Sequence, residues 1–402
     1  MSGRLKILII ALGIGQIVSW GPLFYCMAVL WPRVGEGLGV SRLMLFGVVS
    51  LALLLNGLVA PAAGRAIDRY GGRLMMSVGS ILSGLGLAIV ALAPNPIVYT
   101  LGWAIGGVAM SLVLYDPAFA TLSQHSGESH RRALTAVTLL GGFASTVFWP
   151  LTGYLLDALD WRGTFWVFAI AQWVICLPLH ALAIPRRPPR AAEPSGAAVI
   201  DTGSPVASDE QLRIFRWLCG AFALHAFMMS VLAVNLLSLL QARGLSLADA
   251  VLVGAVMGPM QVAGRLLDMV SGGRIPARAL GIAALGADAL AMLLLGQHFV
   301  GLGMAVFIVG LYGAGNGLVT IAKGMNVADM FGREHYGLWL GRLARWVYTM
   351  YALAPMTFAL LFRVGLDDLN ASWLLLGFAS AALGCYLLAT RPGPAIAGRA
   401  RA

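Results

Sequence analysis

The feature that most restricts this chain is a succession of apolar runs, each about twenty residues long, following one another from end to end. A run of that length forms a helix long enough to cross roughly 30 Å of hydrocarbon. Gly, Pro and Arg punctuate the runs, and twelve spans are expected, over 5–31, 43–66, 74–93, 97–122, 133–158, 161–184, 213–241, 247–268, 276–296, 299–323, 337–362 and 371–390. Composition agrees: 59% of the 402 residues are hydrophobic and 11% are charged, against about 25% charged in a soluble domain. The expected fold class is an all-α membrane protein.

A formal net charge of +10 could suggest a nucleic-acid partner, but its distribution gives another reason for it. With twelve spans and the N-terminus inside, every Lys and Arg except Arg33, Arg42, Arg162, Arg243 and Arg363 falls on the cytoplasmic side. That bias orients a membrane protein during insertion, so the excess is topological and no nucleic-acid partner is expected. The sequence predicts a multi-pass protein of a bacterial-type inner (plasma) membrane, with both termini cytoplasmic and the lipid bilayer as its surroundings. The first run is too long for a signal-peptide core and is read as a retained helix. Cys26, Cys176, Cys219 and Cys385 lie far apart inside spans and read as small packing residues. Cys26 and Cys219 would need converging thiolates to hold a soft metal, and His125, Glu128 and His130 share a polar loop. Neither metal nor cofactor is expected.

The chain also repeats itself. Gly64-Arg65-Ala66-Ile67-Asp68 returns half a chain later as Gly264-Arg265-Leu266-Leu267-Asp268, each copy ending an apolar span. Asp116 and Asn316 stand at the same offset, and Pro150-Leu151-Thr152 answers Pro355-Met356-Thr357 at nearly that offset. Between the halves, 185–212 is rich in Pro, Arg, Ala, Gly and Ser, the composition of a flexible linker. The expected organisation is a six-span half over 1–184, a cytoplasmic linker over 185–212, and a second six-span half with a short tail over 213–402. Paired repeats that rock about a midplane site are an architecture of secondary transporters.

The segment Gly64-x-x-x-Asp68-Arg69-x-Gly71-x-Arg73 resembles the loop signature of the major facilitator superfamily, departing at Gly72, where a basic residue is usual. Gly39-Val40-Ser41-Arg42 and Asp160-Trp161-Arg162-Gly163-Thr164-Phe165-Trp166 are similar to segments of its monocarboxylate and oxalate–formate porter branch. The resemblance implies two pseudo-symmetric six-helix bundles. Their first, fourth, seventh and tenth helices would line a cavity, flanked by the second, fifth, eighth and eleventh. It also implies a conformational latch at Gly64, Asp68, Arg69, Gly71 and Arg73, with a degenerate copy at Gly264 and Asp268. Glycine lets helices approach closely, and the acid accepts hydrogen bonds from a helix N-terminus or an arginine. The second latch, followed by Met269-Val270-Ser271, is expected to be the weaker. Porters of that branch place a cation deep in a core helix. Here Lys6 sits at the edge of the first span, Arg265 at the cytoplasmic end of the eighth, and Arg342 and Arg345 look shallow. That tilts the expectation slightly towards an exporter.

An ionisable group in hydrocarbon costs several kcal/mol unless it is paired or faces water. Asp116, between Tyr115 and Pro117 in the fourth span, and His225 in the seventh are therefore the candidate coupling residues. Their alternatives are an ion pair with Arg345 or Lys323 for Asp116, and simple packing for His225. The candidate cavity residues are the polar Gln16, Asn56, Gln261, Asn316 and Thr320, the aromatic Trp20, Tyr25, Tyr115, Trp149, Tyr312 and Tyr348, and Arg345. Interhelical bonding and core packing are the competing roles for these. Asp288, in the ninth span, suggests only a buried hydrogen bond. The chain contains no phosphate loop of the GxxxxGK[ST] type. Secondary active transport of a small organic solute follows, proton-coupled and by alternating access, with efflux slightly favoured and a monomer sufficient. The rivals are an organic-anion porter, a drug or metalloid exporter, and a sensor on a transporter fold. An enzyme would need a nucleophile–base constellation that the sequence lacks.

Overall fold

The structure is a computed structural model that describes residues 3–186, 208–271, 274–297 and 301–391. The core of the expected linker, 187–207, lies outside the described residues, which contain helices and no strand. Ten helical runs are long and apolar enough to cross a membrane. The helices of the first half are α1 (Gly3–Trp20), α2 (Met27–Leu38), α3 (Arg42–Tyr70), α4 (Gly72–Leu92), α5 (Pro96–Val113), α6 (Tyr115–His125), α7 (His130–Gly141) and α8 (Ala144–Ala171). The helices of the second half are α9 (Asp209–Gln241), α10 (Leu247–Val270), α11 (Ala277–Gly296), α12 (Leu302–Phe331), α13 (Tyr336–Arg363), which is not one of the ten runs, and α14 (Asp368–Ala389). One run, Gly127–Ala183, is 57 residues long and turns at Asp160, whose φ of 63° is non-helical. The 28-residue α13 is as long as its neighbours but carries Arg342 and Arg345.

Local chemistry sets the breaks. At the Asp160 turn, the carboxylate accepts from Gly163 N at 2.9 Å and restarts the helix. Arg162 then donates to Ala91 O and Ala93 O at 3.1 and 2.7 Å, satisfying carbonyls at the end of α4. Between α5 and α6, Leu114 is extended and Pro117 has no N–H to offer the Val113 carbonyl. Gln16 supplies the missing donor, its Nε2 lying 2.8 Å from Val113 O. Gly21-Pro22 opens a π-helical stretch, Gly21–Tyr25, between α1 and α2.

Burial divides the molecule unevenly. One apolar cluster draws on both halves, joining Leu8, Phe119 and Leu134 to Phe222, Leu280 and Tyr386. It lies on the face where α1 begins and α14 ends, here called the terminal face. Towards the opposite face the cores are separate. One contains Leu30, Trp103 and Phe165 with a few α13 residues, and the other contains Met228, Val253 and Phe358. The halves are therefore sealed together at the terminal face and, beyond it, still meet along α3 and α13.

Candidate functional site

Polar contacts between the halves reinforce the sealed face. Asp68, near the end of α3, accepts from Gly337 N at 2.9 Å and Leu338 N at 2.7 Å, the free N–H groups at the start of α13. Gly64 makes this approach possible, because a Cβ there would overlap the Gly337 carbonyl. The repeated acid, Asp268, does the equivalent on the other side. It accepts from Thr135 Oγ1 at 2.9 Å and pairs with Arg131 of α7. The second latch thus holds an ion pair that local sequence conceals, because Arg131 comes from the other half. Gly264 differs from Gly64 in its partner: a Cβ there would meet Ala314 O of its own half at 2.6 Å. Gly72, the departure from the usual signature, packs against Thr121, where a side chain would overlap its hydroxyl. Arg69 stacks over Tyr70 at 5.3 Å, Gly71 has φ 85°, and the Arg73 carbonyl accepts from Ser77.

A third contact crosses the halves deeper in. Lys323 Nζ of α12 lies 2.6 Å from Asp116 Oδ1 of α6, so Lys323, and not Arg345, is the partner of Asp116. Its other oxygen, Oδ2, has no hydrogen-bond partner in the structure, nor has Asn56 Nδ2. Both residues line one small cavity with Ser111 and Tyr348, of about 10 Å³, close to the volume one water requires.

Arg265 is where structure and sequence part company. Placed by sequence at the cytoplasmic end of its span, it is 5% exposed and its guanidinium reaches inward between the halves. Nη1 donates to Thr138 O at 2.8 Å and Nε faces Gly317 O at 3.4 Å. Tyr115 lies against it, and Tyr25 is close enough to feel its charge. Around this point Trp20 packs on Tyr115 at 5.4 Å and on Tyr25 at 6.2 Å, and Tyr25 on Trp149 at 6.2 Å. Phe24 meets Tyr351 of the second half at 6.0 Å. A long side chain pointing away from its helix end is what displaced the cation from its expected depth.

Three comparisons bear on this architecture. The model of the Major Facilitator Superfamily matches residues 12–343. The chain belongs to that superfamily. The superfamily is one of multi-pass membrane transporters and not of enzymes, and its members sit in a lipid bilayer and bind small molecules. It is 29% identical over 182 residues to human monocarboxylate transporter 11, covering 43% of this chain and 38% of that protein. It is 32% identical over 145 residues to the multidrug resistance protein B homolog of Mycobacterium tuberculosis, covering 35% and 26%. The matched stretches thus span well under half of either relative. The crystal structure of the human organic anion transporter MFSD10 superposes with a TM-score of 0.71 at 17% identity, covering 97% of this chain and 100% of that one.

The remaining candidates fall into two groups. His225 and Asn316 meet, Nε2 to Oδ1, at 3.3 Å, and Tyr312 is buried beside them on α12. Gln16 serves the α5–α6 break and accepts from Trp20 Nε1 at 3.2 Å, so it supports the aromatic cluster from behind. Gln261 and Thr320 are half-buried, with the Gln261 backbone pressed on Gly317. Arg345 has an exposed side chain beside the α3–α13 seam, its carbonyl against Gly57. Sequence reasoning left Arg131, Arg265 and Asp288 outside the site and named Lys323 only as one of two possible partners of Asp116. Spacing within one span carries no signal for any of them, because each meets its partner on another helix. No group of three metal-ligating side chains occurs among the described residues. In the polar loop, His130 Nδ1 instead meets Ser126 Oγ at 2.9 Å.

Proposed function

We propose that this transporter carries a small organic anion by alternating access, with Arg265 as counter-charge to the cargo and Asp116 as the proton-coupled group. Dividing the 57-residue run at Asp160 and adding α13 gives twelve crossings. These form two six-helix halves, 1–184 and 213–402, acting as a monomer in an inner membrane with the terminal face in the cytoplasm. The opposite face, where the two cores are largely separate, is then the loading side of this conformation.

The observation that carries the reading is the state of Arg265. It is a buried cation bonded to carbonyl oxygens, with no carboxylate at ion-pairing distance among the described residues. An uncompensated charge in such surroundings costs several kcal/mol. An anion arriving beside Tyr115 offsets that cost, and the planar guanidinium fork matches a carboxylate in two bonds. Trp20, Phe24, Tyr25 and Tyr351 supply an apolar wall for the rest of the molecule. The similarity to a protein named monocarboxylate transporter 11 supports the same class. Protonating Asp116 removes the charge that holds Lys323, loosening a contact between halves and tying proton loading to opening of the cytoplasmic face.

A second reading is export of amphipathic compounds, favoured by the aromatic wall and by the similarity to a protein named for multidrug resistance. The absence of a deep cation, which had favoured efflux, no longer supports it. Proteoliposomes loaded with labelled monocarboxylates under an imposed pH gradient separate the two. The wild type is expected to accumulate carboxylate with protons, and Arg265→Gln to stop both accumulation and exchange. Arg265→Lys should weaken apparent affinity about tenfold, the equivalent of about 1.4 kcal/mol. Asp116→Asn should keep exchange and lose gradient-driven accumulation. Expulsion of hydrophobic cations by a wild type that neither binds nor moves any carboxylate would establish the exporter instead.

A further inference from the structure

His225 of α9 and Asp288 of α11 form a buried pair that the transport scheme above does not use. Nδ1 of the imidazole lies 3.0 Å from Oδ2 of the carboxylate, with side-chain exposures of 7% and 1%. On its other side, Nε2 meets Asn316 Oδ1 at 3.3 Å. Gly315 makes room for the acid, since a Cβ there would come within 2.6 Å of Asp288 Oδ1. A side chain at that position would push α11 and α12 apart.

The hydrogen count is constrained by geometry. With Asn316 presenting its oxygen, Nε2 carries the hydrogen between them. Nδ1 and Oδ2 are then two acceptors face to face unless one proton lies in the 3.0 Å gap. That proton makes either an imidazolium beside a carboxylate or a neutral imidazole beside a carboxylic acid. Both forms are neutral overall, which suits burial in hydrocarbon. Removing it leaves a net negative charge.

The neighbouring groups are few. From α12 come Tyr312, whose hydroxyl has no hydrogen-bond partner in the structure, and Asn316. From α13 come Tyr351, which shares an electrostatic interaction with Tyr312, and Tyr348 deeper along the helix. From α10 come Gln261 and Arg265, the latter meeting α12 one residue beyond Asn316, at Gly317 O. Between Phe378 and Cys385, α14 offers only apolar residues and Ser380. Tyr351 is half-buried and meets Phe24 of the other half at 6.0 Å.

We propose that His225 and Asp288 form a proton-binding site, separate from Asp116, that takes up one proton and holds it between Nδ1 and Oδ2. The site lies wholly within the C-terminal half, so it keeps its geometry while the halves move against each other. It does not depend on the cargo being an anion.

The test uses purified full-length transporter in lipid, without substrate, titrated from neutral to acid pH and followed by infrared difference spectroscopy. The wild type is expected to show the carbonyl band of a protonated carboxylic acid together with imidazole bands. Asp288→Asn should remove part of the carboxylic signal and the coupled imidazole signal, whereas Asp116→Asn should leave the imidazole bands intact. His225→Gln retains an amide donor for Asp288 without the titration. It should move the carboxylic band to a different midpoint, and it decides the matter if Asp288→Asn does not fold. In vesicles, protons taken up per pH jump should fall by one per folded Asp288→Asn molecule. A titration and proton count that neither variant changes would overturn the proposal, whatever the fate of the carboxylate assays.

Discussion

Asp68→Asn should tip the transporter towards opening at the terminal face. The native carboxylate accepts from two free N–H groups of α13, at 2.9 and 2.7 Å. Hydrogen bonds to a charged acceptor contribute roughly 1.5–3 kcal/mol each, and the negative charge at a helix N-terminus adds about 0.5 kcal/mol. Asparagine keeps one acceptor oxygen, sized for a neutral bond of about 1 kcal/mol, and turns its amide donors towards the second N–H. The nominal loss is about 3 kcal/mol. Asp68 is only half-buried, and water that replaces the lost contact reduces the figure to about 2 kcal/mol. A difference of that size changes the ratio of open to closed forms about thirtyfold. Spin labels at Tyr70→Cys and Leu267→Cys, both exposed on the terminal face and on opposite halves, report that ratio as a distance distribution. A long-distance population that grows by an order of magnitude is expected. If the distribution matches the wild type, the contact between Asp68 and α13 does not hold the face shut.

The paired glycines should behave differently despite their common sequence. Gly64→Ala strains a contact between halves and is expected to raise the open population while leaving the melting temperature nearly unchanged. Gly264→Ala strains a contact inside one half and should lower thermal stability by about 1–3 kcal/mol, read by a thermal-shift assay. Lys323→Gln leaves Asp116 as an unpaired buried charge, a loss of about 3–5 kcal/mol for a buried pair. The double variant with Asp116→Asn should recover most of the lost stability, and a double variant as unstable as the single one would show that the pair is incidental.

Length, apolarity and the repeated segment made the membrane-spanning helical fold legible before any coordinates, because each is a property of contiguous residues. The same is true of Asp68, whose partners are backbone groups that every helix start provides. For Asp116 the sequence left two candidates, Arg345 and Lys323, and the partners of Asp268 and His225 were harder to find. Lys323 and Arg131 come from the other half of the chain, and Asp288 from a helix assigned to the periphery, so no periodicity links them. Arg265 was misjudged because depth was read from its position in the span, while a long side chain carries its charge well away from its own Cα. Gln16 was read as a cavity residue because a buried amide suggests a ligand. The broken helix at Pro117 had already claimed it.

The charges of the central region fix what an empty cycle must overcome. Asp116 and Lys323 cancel, and His225 and Asp288 cancel once they share a proton, whichever of the two carries it. Arg265 is left over, held by carbonyl dipoles and a tyrosine. If Arg265 meets the cargo as proposed, halves that close without cargo leave this buried charge with no counter-ion, and the empty transporter crosses its occluded state at a disadvantage. An anion beside Arg265 removes the penalty, because the occluded complex is then neutral. On the proposed reading the same imbalance would do two jobs, attracting the cargo and discouraging movement without it. A neutral solute would leave the charge uncovered, so the residue that recognises the anion also restricts the cycle to it.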